Sequence, residues 1–187
     1  MGYSLAQAAE RRGAEVILIS GPTTLSSPSE VNTKKVVTAE EMREQVLSHF
    51  QQSSVIIMAA AVSDYRPFKS SNQKIKKKNE ELNLRLLPTA DILAELSRKG
   101  KGKLLIGFAA ESENIFENAR EKLKAKNLHL IVVNDISLTN SGFESNYNTI
   151  SLVDKYGEVK NYPRLPKLQA AEIIIEKIEE LLKREKQ

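Results

Sequence analysis

Short runs of aliphatic and β-branched residues alternate along this chain with stretches whose apolar positions return every three or four residues. The first pattern marks a strand covered on both faces; the second marks a helix with one face on a core. Residues 3–12 (YSLAQAAERR) read as a helix closed by Gly13, and residues 15–20 (EVILIS) as a buried strand stopped by Gly21-Pro22. Lys35 to Val37 reads as a short strand. Thr38-Ala-Glu-Glu41 has capping-box spacing, and Met42, Val46, Leu47 and Phe50 form the apolar face of the helix it opens. Ser54 to Ala60 (SVIIMAA) is the strongest strand signal, and Leu82 to Leu87 alternates as a strand with one polar face. Thr89 or Asp91 starts a short helix that Gly100 closes. A strand at Leu104–Ala109, a helix at Ile115–Lys126 and a strand at Leu128–Val133 follow. Thr149–Asp154 and Val159–Tyr162 flank Lys155-Tyr-Gly-Glu158 as a hairpin, and residues 166–185 form a last helix with Ile174, Ile178, Leu181 and Leu182 inward.

Strand–helix alternation with nearly all-apolar strands predicts a three-layer α/β/α sandwich. Its sheet is mainly parallel, Rossmann-like or ribokinase-like, with a C-terminal antiparallel hairpin. Ligands of such sheets sit beyond the carboxyl ends of the strands. The stretches to inspect are therefore Gly21–Thr24, Ala61–Lys78, Ala109–Glu113 and Asn134–Asn148. The chain opens directly on a helix. A doubly wound fold opens on a strand and a Gly-rich turn, so the expectation is a domain without its first strand and phosphate loop.

Composition narrows the chemistry. The 187 residues suit one domain, and a 41% hydrophobic share is that of a globular chain. With no Cys, disulfides, thiolate metal sites and a cysteine nucleophile are excluded, and a reducing cytoplasmic setting is expected. The longest apolar run, Val55–Val62, falls far short of the roughly 20 residues of a membrane span, and residues 1–12 lack the apolar core of a secretory signal. A net charge of +4 leaves room for an anionic ligand.

Several clusters carry candidate chemistry. Ala59-Ala-Ala-Val-Ser-Asp64-Tyr-Arg-Pro67 follows the best strand; its small residues admit a ligand close to the backbone. Asp64 there can hold a divalent cation or a ribose hydroxyl, or simply form the turn. Residues 74–78 hold four lysines in five positions: a cationic loop closing on phosphates, or a solvated surface loop. The tract is short and has no interleaved aromatic platform, which argues against nucleic-acid binding. Lys122 and Lys126 share a helix face and compensate its dipole or aim at an anion. The Thr89-Ala-Asp91 segment caps a helix and offers backbone N–H groups. Tyr65-x-x-x-Lys69 has the spacing of a dehydrogenase tyrosine–lysine pair, but Pro67 breaks the helix that pair requires. His49 and His129 have no nucleophile or carboxylate partner in the pattern and are read as structural.

Taken in order, these pieces resemble the phosphopantothenoylcysteine synthetase family of the bacterial type. The resemblance rests on Val37–Met42, Ala59–Pro67, Lys74-Ile-Lys-Lys77, Asp91-Ile-Leu93, Ile106–Glu111, Asn134-Asp135 and Gly142-Phe…Asn148, and runs from Met1 to about Leu182. It implies a CTP- and Mg²⁺-dependent ligase joining 4′-phosphopantothenate to L-cysteine through an acyl-cytidylate. It also implies a homodimer, often fused to a flavin-dependent decarboxylase, with no nucleic-acid or membrane partner. By the same resemblance, Lys74 acts in catalysis and nucleotide binding on a flexible flap at residues 68–81 of a single 1–187 domain. Asp64 binds nucleotide, through the metal. Met58, Ala59, Ala60, Ala90, Asp91, Ile92, Leu93, Phe108, Lys122 and Lys126 are the remaining nucleotide contacts. Ala90 stands where the family commonly has Pro. Of the family's Asn-x-Ser-Ser-Gly-x-Met-Gly segment only Met1-Gly2 is present. A non-catalytic nucleotide-binding fragment is the alternative.

Overall fold

A computed structural model describes residues 1–69, 71, 73–77, 81–100, 102–111, 115–135 and 145–185. Helix α1 (Gly2–Arg11) ends where Gly13 takes φ +81°, a left-handed turn that a side chain would strain. Strands β1 (Ile17–Ser20) and β2 (Asn32–Lys35) precede α2 (Ala39–Phe50). The capping box of α2 is present: Glu41 N–H donates to Thr38 Oγ1 at 3.1 Å, and Glu41 Oε2 accepts from Val37 N–H at 2.7 Å. Next come β3 (Val55–Met58), β4 (Tyr65–Pro67), β5 (Leu86–Pro88) and α3 (Ile92–Lys99). Helix α3 is capped by Asp91, whose Oδ1 accepts from Ala94 N–H at 3.0 Å. Strand β6 (Leu104–Glu111), helix α4 (Ile115–Ala125), strands β7 (Leu130–Asp135), β8 (Tyr147–Asp154) and β9 (Val159–Pro166), and helix α5 (Lys167–Arg184) complete the order.

Five strands form the main sheet in the order β3-β6-β7-β8-β9. The β3–β6 and β6–β7 pairs are parallel; β7–β8 and β8–β9 are antiparallel. Alternate residues of β6 face opposite layers. Leu104 and Ile106 pack with α1 and α5 through Leu5, Ala8, Ile174 and Leu181. Leu105 and Ala109 pack with α2, α3 and α4 through Val46, Leu96 and Leu123. The expected sandwich, with helices on both faces, is therefore present. Arg12 ties α1 to α5 through Glu172 at 3.3 Å and Glu179 at 2.9 Å.

Strands β1 and β2 form a second parallel pair, and β4 and β5 an antiparallel hairpin. Among the described residues β1 pairs only with β2, and β3 on the other side of its neighbour β6 pairs with nothing. Both strands line one cavity of about 1420 Å³, together with residues of α1, α2 and α5. The parallel array is interrupted where a doubly wound sheet would be continuous.

Several elements differ from the sequence expectation in more than a residue or two at their ends. The strand placed at Lys35–Val37 lies at Asn32–Lys35, because polar Asn32–Lys35 pair in register with Ile17–Ser20 while Val37 joins the α2 cap. The alternating Leu82–Leu87 segment contributes only its end to β5, and Leu82, Leu84 and Leu86 are exposed rather than packed. Its partner β4 was not anticipated; three residues with a proline give no periodicity to read. Strand β9 continues past Tyr162 through Pro163, which an edge strand tolerates because no neighbour needs its N–H. Leu182, expected inward, is half-buried at the rim of α5.

Candidate functional site

The carboxyl ends of three parallel strands open into one cleft. Ser20-Gly21 after β1, Val36–Thr38 after β2 and Met58-Ala-Ala60 at the end of β3 all line the cavity. Thr89 and Ala90, between β5 and α3, line it as well. The small side chains of Ala59, Ala60 and Ala61 leave the backbone open to a bound group there. The loop that follows is tied down from the far side. Thr89 N–H donates to Asp64 O at 2.8 Å, and Thr89 Oγ1 donates to Ser63 O at 2.5 Å. Asp64 is thus held by its backbone while its carboxylate stays exposed.

Charged donors approach from the helices. Lys126 Nζ lies 2.7 Å from Asp91 Oδ2, joining the end of α4 to the start of α3. Partial desolvation pushes the Asp91 carboxyl up. The hydrogen bonds from Lys126 and the Ala94 N–H, with the nearby charges of Lys126 and Arg98, bring it net below its usual value. Lys122 is exposed one turn earlier on α4. Lys74 is exposed in the segment between β4 and β5.

The sequence-derived residues do not all face one space. Met58, Ala59, Ala60 and Ala90 share the cavity; Asp64 lies between its lining residues Ser63 and Tyr65. Ile92 is 4% exposed and belongs to the core, so only its backbone could meet a ligand. Leu93 covers Gly107 of β6: a Cβ on that glycine would lie 3.1 Å from Leu93 Cδ2 and 2.8 Å from Leu128 Cδ1. Phe108 packs on the opposite side of the sheet, against the α1–α5 core. Asn148 Nδ2 donates to Asn134 Oδ1 at 3.0 Å, so two motif positions distant in sequence meet across β7 and β8. The Gly142-Phe143 part of that motif lies outside the described residues.

Sequence reasoning missed Tyr3, named Thr38 only as a helix cap and Ser20 only as a strand end. Tyr3 Oη and Ser20 Oγ are 3.0 Å apart, and Ser20 Oγ donates to Gly21 O at 2.9 Å, fixing the end of β1 beside the cavity. The available signal was a hydroxyl on the apolar face of α1. The histidines have structural partners, as expected. His129 Nδ1 accepts from Leu105 N–H at 3.2 Å and lies against Glu185, and His49 Nδ1 meets Gln52. Burial and the nearby Lys155 ammonium lower His129, which keeps it in the neutral, accepting form.

A family model for the DNA/pantothenate metabolism flavoprotein C-terminal domain matches residues 1–182. The chain belongs to this family. Among its relatives, the coenzyme A biosynthesis bifunctional protein CoaBC of Bacillus subtilis is 42% identical over 184 residues, which are 98% of this chain and 45% of that protein. The CoaBC of Vibrio parahaemolyticus is 41% identical over 162 residues, 85% of this chain and 41% of that protein. A cysteine/cysteine sulfinic acid decarboxylase of a prokaryote of unknown identity is 41% identical over 180 residues, covering 95% of this chain and half of its own length. The chain therefore spans about half the length of these curated relatives. A crystal structure of the C-terminal domain of a CoaBC superposes with a TM-score of 0.83 at 39% identity, covering 98% of this chain and 82% of that one. A flavoprotein of this family from Streptococcus pneumoniae, at 22% identity and a TM-score of 0.79, supports the fold.

Among the described residues no group of three or more His, Asp or Glu forms a metal cage. A lone exposed Asp64 fits a divalent ion whose other ligands come from substrate phosphates and water, the usual arrangement for Mg²⁺. Among the described residues no helix is long and apolar enough to cross a membrane.

Proposed function

We propose that this chain is the CTP-dependent ligase part of a coenzyme A biosynthesis protein, joining 4′-phosphopantothenate to L-cysteine. The observation that carries the reading is the cleft at Met58–Ala60 and Ala90, in a chain 42% identical to a CoaBC across nearly its whole length. A carboxylate is a poor electrophile, and attaching it to a nucleotide gives it a good leaving group. In the first step a carboxylate oxygen of phosphopantothenate bonds to the α-phosphorus of CTP, and the bond to pyrophosphate breaks. In the second, the cysteine amine attacks the acyl carbon, the bond to CMP breaks and the amine gives up a proton.

Negative charge accumulates on the phosphates in the first step, so positioned cations lower its barrier. Lys74 is assigned that role, on the 68–81 segment joining β4 and β5, acting as a flap over the nucleotide. Lys122 and Lys126 are assigned to the nucleotide from α4, with the backbone of Ala90–Leu93, whereas Phe108 faces the α1–α5 core and is left out of the contact set. Asp64 would hold Mg²⁺, which supplies Lewis-acid polarisation of the phosphates when bound. The loop bonds from Thr89 fix the backbone of Asp64 and leave its carboxylate available. The reading extends to a single 1–187 domain, a homodimer and a cytoplasmic setting, with a flavin-dependent decarboxylase as a fused or associated domain.

Titration calorimetry with CTP, and separately with ATP, in Mg²⁺ tests the nucleotide assignment. Selective CTP binding supports it; binding of neither nucleotide overturns it. Lys74→Gln should leave the melting curve in place and lower product formation by at least ~100-fold, the scale seen when one charge-stabilising donor is removed. Near-normal turnover by that variant would remove Lys74 from the mechanism.

A further inference from the structure

The contact between Asp91 and Lys126 does something that neither helix needs for its own stability. Asp91 Oδ1 is committed to the Ala94 N–H at 3.0 Å, and its Oδ2 to Lys126 Nζ at 2.7 Å. Both oxygens of one carboxylate are therefore used, one to cap α3 and one to reach across to α4. The cap fixes the carboxylate on a rigid element. The ammonium sits on a four-carbon stem that is otherwise among the most freely rotating in proteins. Its backbone lies at the end of α4, where Lys126 N–H bonds Lys122 O at 3.0 Å and Asn127 turns the chain with φ +46°.

An exposed ion pair adds little to folding stability, because solvent screens it and two side chains lose freedom. The Asp91 and Lys126 side chains are 49% and 33% exposed, so stability alone does not account for the pair. An ammonium has three donors, and Asp91 takes one. Asp91, which takes that one, directly follows Ala90, a residue that lines the cleft.

We propose that Asp91 is a positioning residue: its capped carboxylate holds the Lys126 ammonium in place at the start of α3, ready to donate to the nucleotide. The inference rests on the CTP-binding reading above and adds a division of labour within it. The Asp91 side chain acts through Lys126 rather than by touching the ligand, and a carboxylate beside an anionic nucleotide is tolerated because the lysine neutralises it.

Asp91→Asn separates the two roles. Asparagine caps a helix as well as aspartate, but it is a poor partner for an ammonium. Asp91→Asn should raise the CTP KM about tenfold, with most of the loss in KM rather than kcat, as expected when a charge-assisted contact is loosened. Lys126→Gln should show a similar rise, and Asp91→Asn with Lys126→Gln no more than Lys126→Gln alone. Full multiplication of the two single effects would overturn the proposal.

A second readout is independent of turnover. Acetylation of Lys126 by acetic anhydride, followed by mass spectrometry, should run several-fold faster in Asp91→Asn than in the parent, since an ion-paired ammonium is withheld from reaction. Equal rates would overturn the positioning role whether or not the chain uses CTP. Loss of CTP turnover in the parent itself, with the acetylation difference intact, would count against the ligase reading and leave the pairing established.

Discussion

Gly107 and Leu96 show how single residues seat α3 on the sheet. Gly107 lies in β6 beneath Leu93 and Leu128, and any Cβ there would come within 2.8 Å of a methyl group. Its backbone is ordinary strand; the requirement is space. Gly107→Val should therefore cost about 1–3 kcal/mol by overpacking and push the start of α3 off the sheet. Urea unfolding reads the first effect, and weaker CTP binding the second. Leu96, with no exposed surface, packs α3 against Leu105 and its neighbours. Leu96→Ala should cost about 2–5 kcal/mol, with the spread set by how far the cavity collapses. A loss well under 1 kcal/mol in urea would mean α3 is not held by this core.

At the scale of elements, the most consequential polar contact joins α5 to the β8–β9 hairpin. Lys177 is 4% exposed and pairs with Asp154 at 2.9 Å, with Glu158, and with Glu180 at 3.6 Å. Asp154 is 2% exposed, and its Oδ1 accepts the N–H groups of Tyr156 and Glu158, closing the turn at Gly157. Lys177→Met would strand the buried Asp154 charge and should cost about 3–5 kcal/mol. Lys177→Met with Asp154→Asn should recover part of that loss, which a thermal melt would show.

Two ion pairs set the acid limit. Lys177, with Lys160, holds Glu158 down at about 2, and Arg43, with Lys99, holds Glu95 at about 2. Both carboxyls have folded values below their unfolded value of about 4.3. Their contribution is fully present above that value and is lost as the pH falls towards 2. His129 adds to this at a higher pH: burial and Lys155 lower its value, so stability falls as the pH drops below the ordinary histidine range. Melting temperature should be flat from neutral pH down to about 6.5, the ordinary histidine value, decline gently below it and steeply below about 4.5. In Arg43→Gln the steep part should shrink; an unchanged acid limb would show that the Glu95 pair contributes nothing.

At the scale of the whole molecule, the two sheets that contain parallel pairs differ in support. Strands β6 and β7 are central in the main sheet and buried by helices on both faces. The β1–β2 pair is two-stranded and reaches the rest through side chains around the cavity. Hydrogen exchange should be slowest at Ile106, Ile131 and Val132 and faster at Leu18 and Ile19. Binding of a nucleotide at the strand ends should slow the second set more than the first. Equal protection of both sets without ligand would mean that β1 and β2 belong to the same cooperative unit as β6.

The sequence by itself determined the order and type of the long elements, the α2 and α3 caps and the family. These depend on neighbours three or four residues apart, or on strings of residues in fixed order. Thr38 with Glu41, Asp91 before Ile92, and Gly13 after Arg12 are local chemistry, legible without knowing what packs against them. The pattern also picked out the cleft, because small residues after a strong apolar strand stand out.

The tertiary structure decided what depends on partners far along the chain. Polar Asn32–Lys35 is a strand only because β1 lies beside it, and Tyr65–Pro67 only because Leu86–Pro88 pairs with it. It decided that Ile92 and Leu93 serve the core while Ala90, just before the Asp91 cap of α3, lines the cleft. It also brought Asp91 to Lys126, residues 35 positions apart, and thereby gave a capping carboxylate a second partner. Such pairings carry no periodic trace in the sequence, since their energy comes from contacts that exist only once the layers have packed.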